Sequence, residues 1–357
     1  MVYQILMKKK ILSIIVIVSI SILLILFLEI FLKFIFFKES SHYSCYEKVE
    51  DKRIYINGKN CNVIQKYFES NEDLLYVTDE LGNRTLTNSE FKEWNKKIFF
   101  VGDSFTFGSL SNYEYTYPFT SVKKINEFSN IIYKEVNKGV NGYQISQVLE
   151  NIKKDKEIIS SNDLIIYGLT PNDLFDLQEK NAEINSDNDS IQDTKSNLII
   201  FLSKKIKNSF ALKYFVSIVL KNDKIYNSIY LSRSQSGAGF IEDELNNSWK
   251  KKYKIVEKLL NDLPNQIKNR MIVLTIPQKI QINLIKKNEI TKGTSFDKEI
   301  LRICKNIKIK CITLTEEIAK LKITHFPLDG HMIPEANKIF GELLGKKILE
   351  AKFLNDN

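Results

Sequence analysis

Histidine and cysteine are scarce in this 357-residue chain, which has three histidines and four cysteines. No two cysteines stand in C-x-x-C spacing. A Cys/His zinc cluster therefore has too few ligands, and no structural metal is expected. No phosphate-cradling P-loop and no dinucleotide fingerprint occur, so nucleotide cofactors have no support and no cofactor is expected. With 13 glycines, 6 prolines and no internal repeat, collagen-like and coiled-coil architectures are excluded. Apolar runs long enough to span a bilayer are missing after the N-terminus, which excludes a multi-span transporter. Negative charge is in deficit: 52 Lys+Arg against 43 Asp+Glu gives +9. The lysines are spread along the chain and not interleaved with aromatics in one patch. They read as solvated surface, and no nucleic-acid partner is expected. What is present, 43% hydrophobic and 27% charged residues, suits an ordinary globular core.

The N-terminus is the exception to that composition. Lys8, Lys9 and Lys10 precede an uncharged run from Ile11 to Leu28, and apolar character continues past Glu29 and Lys33 to Phe37. At 1.5 Å per residue this crosses ~30 Å of hydrocarbon. A cleavable signal peptide has a shorter core and a small-residue cleavage site, so 1–37 reads as an uncleaved transmembrane signal-anchor. The three leading lysines favour an inside N-terminus, although Lys38, Lys48 and Lys52 follow on the other side. The remainder is placed outside the cytoplasm. Cys45 and Cys61, and Cys304 and Cys311, are close enough in sequence to bridge in an oxidising compartment, the alternative being four free thiols. Glu29 and Lys33, one helical turn apart, read as a snorkelling pair at the interface.

Residues 38–95 form a membrane-proximal segment of mixed polarity, and a regular pattern follows over 96–357. Short apolar runs at 98–101, 163–167 and 271–276 read as buried parallel strands, with more alternating strands at 131–136 and 307–314 nearer a sheet edge. Helical patterns at about 116–127, 144–157, 243–262, 296–306 and 335–352 lie between them. This alternation predicts a doubly wound α/β domain with a parallel sheet of about five strands. An insertion at 176–242 breaks the rhythm. It includes a polar stretch at 181–190 (NAEINSDNDS) and then mixed apolar and lysine residues at near-helical spacing. Packing is its expected role, with shaping of a substrate groove or contact with the membrane as alternatives.

Open α/β sheets place ligands beyond the carboxyl ends of their strands. Four of those ends carry Gly102-Asp103-Ser104-Phe105-Thr106-Phe107-Gly108, Asn137-Lys138-Gly139-Val140-Asn141-Gly142, Gly168-Leu169-Thr170-Pro171-Asn172-Asp173 and Asp329-Gly330-His331. A serine hydroxyl is a weak nucleophile until an imidazole takes its proton, and a carboxylate must orient that imidazole. Ser104, His331 and Asp329 can fill those roles. The backbone N–H groups of Ser104 and Gly142 and the Asn172 amide are candidate donors to an oxyanion. Alone, Gly-Asp-Ser is a common turn, Asn-Asp a common helix cap and Asp-Gly-His a surface turn. Four such blocks in order, each after a strand, point to chemistry. His325 competes with His331 as the base, but only His331 has a carboxylate two residues earlier and a helix after it. Asp103 reads as a turn-fixing residue and not as a catalytic acid.

The set resembles the SGNH (GDSL-type) hydrolases, named for Ser, Gly, Asn and His in four blocks. The resemblance covers about 97–347 apart from the insertion. It implies a flavodoxin-like three-layer sandwich, a catalytic Ser104–His331–Asp329 triad, and an oxyanion hole of Ser104, Gly142 and Asn172. Two features depart from the family pattern. The third block reads Gly-Leu-Thr-Pro-Asn-Asp instead of the compact Gly-x-Asn-Asp, and Asp329 and His331 are two apart instead of three, a spacing associated with membrane-anchored, polysaccharide-modifying branches. The segment 76–84 (YVTDELGNR) also looks like what precedes the first block in such members.

The expected function is that of a membrane-anchored, extracytoplasmic serine esterase removing acyl groups, acetyl foremost, from a carbohydrate or lipid. An O-acyltransferase acting on an envelope polysaccharide would use the same residues. A non-catalytic envelope binding protein would not need to keep all three triad residues.

Overall fold

The computed structural model describes residues 2–35, 43–70, 72–86, 94–155, 159–160, 162–175, 177, 209–233 and 239–354. Helix α1 (Val2–Ile35) contains the window Ser13–Leu32, with mean hydropathy 3.1 and no part of it buried by the rest of the chain. It is long and apolar enough to cross a membrane. The end of the expected anchor, 36–37, and the polar stretch 181–190 lie outside the described residues, as does His42.

Downstream of α1 the chain builds a short hairpin, β1 (Tyr46–Lys48) and β2 (Tyr55–Asn57), and then β3 (Asn62–Gln65), β4 (Leu74–Thr78) and β5 (Arg84–Thr85). Alternation follows: β6 (Lys96–Gly102), the four-residue helix α2 (Ser104–Phe107), α3 (Tyr117–Asn126), β7 (Tyr133–Gly139), α4 (Ile145–Lys154) and β8 (Leu164–Leu169). The insertion supplies α5 (Phe210–Leu220) and α6 (Asp223–Arg233). Then come α7 (Asn247–Asn261), β9 (Met271–Thr275), α8 (Lys279–Lys286), α9 (Ser295–Ile307), β10 (Lys310–Thr313) and α10 (Pro334–Glu350).

Five strands in the order β10-β9-β8-β6-β7 are parallel, as the sequence predicts, and β5, β4 and β3 continue the same sheet antiparallel beyond β7. Strand β10 is the edge, as expected, but β7 is not, because Arg84 of β5 pairs with Asn137. The parallel strands read as unbroken apolar runs because both faces are covered. In β6, Ile98 and Phe100 pack with Val122 and Ile125 of α3 and Phe340 and Leu344 of α10. Phe99 and Val101, on the opposite face by the two-residue period, pack with Val148 of α4, Trp249 and Val256 of α7 and Phe296 of α9. The result is a three-layer α/β sandwich. Both cysteine pairs are bridged, Cys45 to Cys61 and Cys304 to Cys311.

Residues 62–85 of the expected membrane-proximal segment thus extend the main sheet, while β1 and β2 before them form a separate two-stranded hairpin. A third apolar cluster joins Tyr43, Tyr67, Leu74 and Tyr76 to Phe107 and Leu110, next to the first predicted block, and to Phe326, just before the last.

Candidate active site

The pairing register brings the candidate loops to one level. Gly102, the last residue of β6, lies opposite Gly139 of β7 and Gly168 of β8, so all three loops leave the sheet at the same edge. Ser104 opens helix α2 immediately beyond β6, and the Asp103 carboxylate caps that helix by accepting from Phe105 N at 2.9 Å. This is the turn-fixing role expected for Asp103. The first glycine of the second block is required by close approach: a Cβ on Gly139 would lie 2.1 Å from the Phe107 nitrogen. Position 139 must therefore be glycine for helix α2 to sit against β7.

His331 reaches Ser104 from the far end of the chain. Its Nε2 is 2.7 Å from Ser104 Oγ, and its Nδ1 is hydrogen-bonded to Asp329 Oδ1. The backbone N–H of His331 donates to the same oxygen at 3.1 Å, which fixes the two-residue spacing as a tight turn. Phe105 packs on the imidazole with ring centroids 4.7 Å apart. Burial works against the charged imidazole, but the Asp329 charge and hydrogen bond outweigh it, and the His331 pKa is raised from 6.5. His325 is placed differently. It is buried, with Nδ1 on Thr324 Oγ1 at 2.8 Å and Nε2 on the Pro277 carbonyl at 3.1 Å, and burial pushes its pKa down to about 3. It is a neutral structural imidazole with both nitrogens occupied.

Gly142 holds a left-handed φ of +78°, which suits glycine. Among the described residues no acceptor pairs with the N–H of Ser104 or of Gly142. The departure in the third block has a local cause. Strand β8 runs on to Leu169, and Thr170 and Asp173 then close a tight turn, Thr170 N donating to Asp173 Oδ2 at 3.1 Å and Asp173 N to the Thr170 carbonyl at 3.2 Å. The turn presents Asn172, whose Nδ2 donates to Asp103 Oδ2 at 2.9 Å and retains a second N–H. Asp103 therefore cross-links the first and third blocks. Burial raises the pKa of Asp103, and burial plus the neighbouring Asp103 charge raises Asp173 well above the usual carboxylate range. Two adjacent buried carboxyl groups cannot both ionise cheaply, and the upward shift falls on both.

Three side chains that hold the candidate loops, Glu69, Arg84 and Tyr55, were not foreseen, and all come from 43–86. Glu69 accepts from the backbone N–H groups of Leu328 at 3.2 Å and Asp329 at 3.3 Å, so it holds the loop that carries Asp329. Tyr67 Oη donates to the same Glu69 at 2.7 Å. Arg84, 1% exposed, donates to the carbonyls of Phe107 at 2.5 Å, Gly108 at 2.6 Å and Ser111 at 2.5 Å, and its guanidinium lies 4.5 Å from the Tyr76 ring centroid and 4.9 Å from that of Phe107. Tyr55 Oη donates to the Asn141 carbonyl at 2.7 Å, next to Gly142. Arg84 did leave a signal. Only five of the 52 basic residues are arginines, and a fork of donors is what several converging carbonyls require. Glu69 and Tyr55 left none. A cavity of about 590 Å³ borders Glu69 and the 324–327 segment, but neither Ser104 nor His331 lines it.

Neither a protein-family model nor a curated protein sequence matches the chain. Among solved structures it is similar to a member of the lipolytic G-D-S-L family from Veillonella parvula (13% identity over 72% of this chain and 97% of that one, TM-score 0.37). It is also similar to a carbohydrate acetylesterase from Sinorhizobium meliloti (12% identity, 72% and 100%, TM-score 0.37) and to a lipase/acylhydrolase from Enterococcus faecalis (11% identity, 72% and 97%, TM-score 0.38). At that distance the chemistry has to be argued from the residues themselves.

Proposed function

We propose that the chain is a membrane-anchored serine esterase of the SGNH type, with Ser104 as nucleophile, His331 as general base and acid, and Asp329 as the group that orients His331. The observation that carries this reading is the continuous relay from Ser104 Oγ through both imidazole nitrogens to Asp329 Oδ1. Ser104 Oγ attacks the ester carbonyl carbon as His331 Nε2 takes its proton. The carbonyl oxygen becomes an oxyanion, met by the Ser104 and Gly142 N–H groups and the second N–H of Asn172. Collapse expels the alcohol, which leaves with the proton returned by His331, and an acyl group remains on Ser104. Water then attacks that acyl-enzyme under the same base, releasing the carboxylic acid and restoring the serine. Asp329 keeps Nδ1 protonated throughout and stabilises the imidazolium.

The triad side chains of Asp329 and His331 are partly exposed, at 29% and 20%, which suits a polymer or surface-bound ester better than a small sealed substrate. An O-acetyl group on a carbohydrate or lipid is the proposed substrate class. The two disulfides support an oxidising, extracytoplasmic location, and α1 supports single-pass anchoring.

The test uses the full chain in detergent micelles with a serine-directed fluorophosphonate and with an activated acetyl ester. Wild type should label at Ser104 and release acetate, and Ser104→Ala should do neither, leaving at most the residual acceleration that binding alone provides. Wild-type turnover in Ser104→Ala would end the esterase reading. Acetylated sugar formed on adding oligosaccharide acceptors would show the acyl group passing to a hydroxyl instead of to water.

A further inference from the structure

The insertion helix α5 presents its apolar side outward. Leu212, Phe215 and Ile218, at three-residue spacing and so along one face, are 37%, 62% and 48% exposed. On the opposite side Ser217 and Leu220 are buried, and the Ser217 hydroxyl is hydrogen-bonded to Glu69. The next helix adds Ile225, 40% exposed. An amphipathic helix of a water-soluble domain turns its apolar stripe inward. Here the stripe that packs inward is fixed by a serine and a leucine, and the more apolar one is left outside.

The position of α5 relative to α1 identifies what covers that stripe. Glu29 of α1 accepts from the Ser209 hydroxyl at 2.8 Å and from the Ala211 backbone N–H at 2.9 Å, so a carboxylate of the anchor caps the first turn of α5. The side chain of Lys33, its expected partner, is outside what the structure describes. Glu29 lies three residues before the end of the Ser13–Leu32 window, which puts it about 4.5 Å inside that end along the helix axis. Helix α5 therefore starts at the depth where the apolar surface of α1 ends. Lys221 and Lys224 follow at the far end, exposed, where cationic side chains meet lipid headgroups.

We propose that α5 lies in the outer membrane–water interface with Leu212, Phe215 and Ile218 seated among the acyl chains. The partner is the lipid bilayer itself, and the seat does not depend on whether the chain hydrolyses an ester. Through Ser217 and Glu69 the same helix is tied to Leu328 and Asp329, so the loop bearing the Asp329 carboxylate is held at a fixed height over the membrane.

The test places an indole on the stripe of the full chain. Phe215→Trp is made on a Trp94→Phe background, leaving Trp249, which is buried, as the internal reference. The protein is reconstituted into mixed phosphatidylcholine and phosphatidylglycerol vesicles, with or without bromine on the upper acyl chain. The introduced indole should emit to the blue of an aqueous indole, resist acrylamide, and lose about half its intensity or more to brominated lipid, as interfacial burial requires. Trp249 alone should be indifferent to bromine. Water-like emission with full acrylamide access overturns the proposal. Emission shielded from acrylamide but unaffected by bromine overturns it too, because protein, such as a second copy, would then cover the stripe.

Discussion

Arg84 gives the sharpest test of the link between the upstream segment and the nucleophile. Its guanidinium is buried, has no carboxylate partner among the described residues, and donates to three carbonyls that end or follow helix α2. Arg84→Met keeps much of the aliphatic stem near the Tyr76 and Phe107 rings and removes the donors together with the charge. Each carbonyl left buried and unsatisfied costs ~1–3 kcal/mol, while relief of the buried charge returns several. The net expectation is a loss of about 3 kcal/mol, or a fall in melting temperature of about 6–12 °C for a domain of this size. Activity should fall as well, because Gly108 N donates to the Ser104 carbonyl at 3.0 Å and Phe107 N to the Asp103 carbonyl at 2.9 Å, so movement of 107–108 displaces the nucleophile turn. Thermal unfolding in micelles, followed by near-ultraviolet circular dichroism, reads the first effect, and acetyl ester turnover at a temperature where the variant is folded reads the second. A shift below 2 °C together with unchanged turnover would refute the argument that Arg84 organises this turn.

The two described histidines should separate cleanly: His331→Ala should cut turnover at least ~10³-fold with little change in melting temperature, whereas His325→Ala should cost about 2 kcal/mol of stability and little turnover once folded. A crippled but stable His325→Ala would reverse the assignment. The pH profile of kcat/KM carries a sign. The base works when neutral, its pKa is raised from 6.5, and activity should therefore climb with pH through a midpoint above 6.5. Asp329→Asn should move that midpoint down and lower turnover by ~10³-fold or more, and an unmoved midpoint would mean that Asp329 does not govern His331. Removal of residues 1–42 should leave a chain that folds, whereas removal of 1–95 strips three strands from the sheet and exposes the β7 edge, so that chain should aggregate on expression.

The parts of the fold that were legible in the sequence are those whose environment is local in character. Strands β6, β8 and β9 are covered on both faces, so Phe99-Phe100-Val101 and Met271-Ile-Val-Leu announce themselves as apolar runs. Strands β3–β5 are two to five residues long and half-buried, and β4 alternates buried and intermediate positions, a pattern too short to distinguish from loop. Their place in the sheet is settled by Arg84 meeting Asn137 across β7, a tertiary fact. The same division runs through the site. Ser104, Asn172 and His331 sit in local turns whose residue types are dictated by close approach and capping. Glu69 is legible only through a loop 259 positions later, and nothing in its own neighbourhood marks it.

That asymmetry has a mechanical reason. Ser104 and His331 come from opposite ends of the domain: Ser104 lies two residues beyond β6, whereas the last block, expected directly after a strand, follows β10 only after the helix Thr315–Ala319, so each loop has to be held in place separately. The parallel sheet fixes the height at which the loop of Ser104 emerges, but not the last ångström of its approach to His331. Here that correction comes from 43–86: Arg84 grips the carbonyls behind Ser104, Glu69 grips the amides around Asp329, and Tyr55 grips the Asn141 carbonyl beside Gly142. All three act on backbone and not on the catalytic side chains. A side chain that grips a catalytic residue's own functional group competes with substrate for its hydrogen bonds, whereas one that grips the adjacent peptide positions the group and leaves it free to react. The segment between the apolar helix and the candidate catalytic blocks therefore contacts all three candidate loops, and the Cys45–Cys61 bridge, which ties the hairpin end of that segment to β3, helps to keep it there.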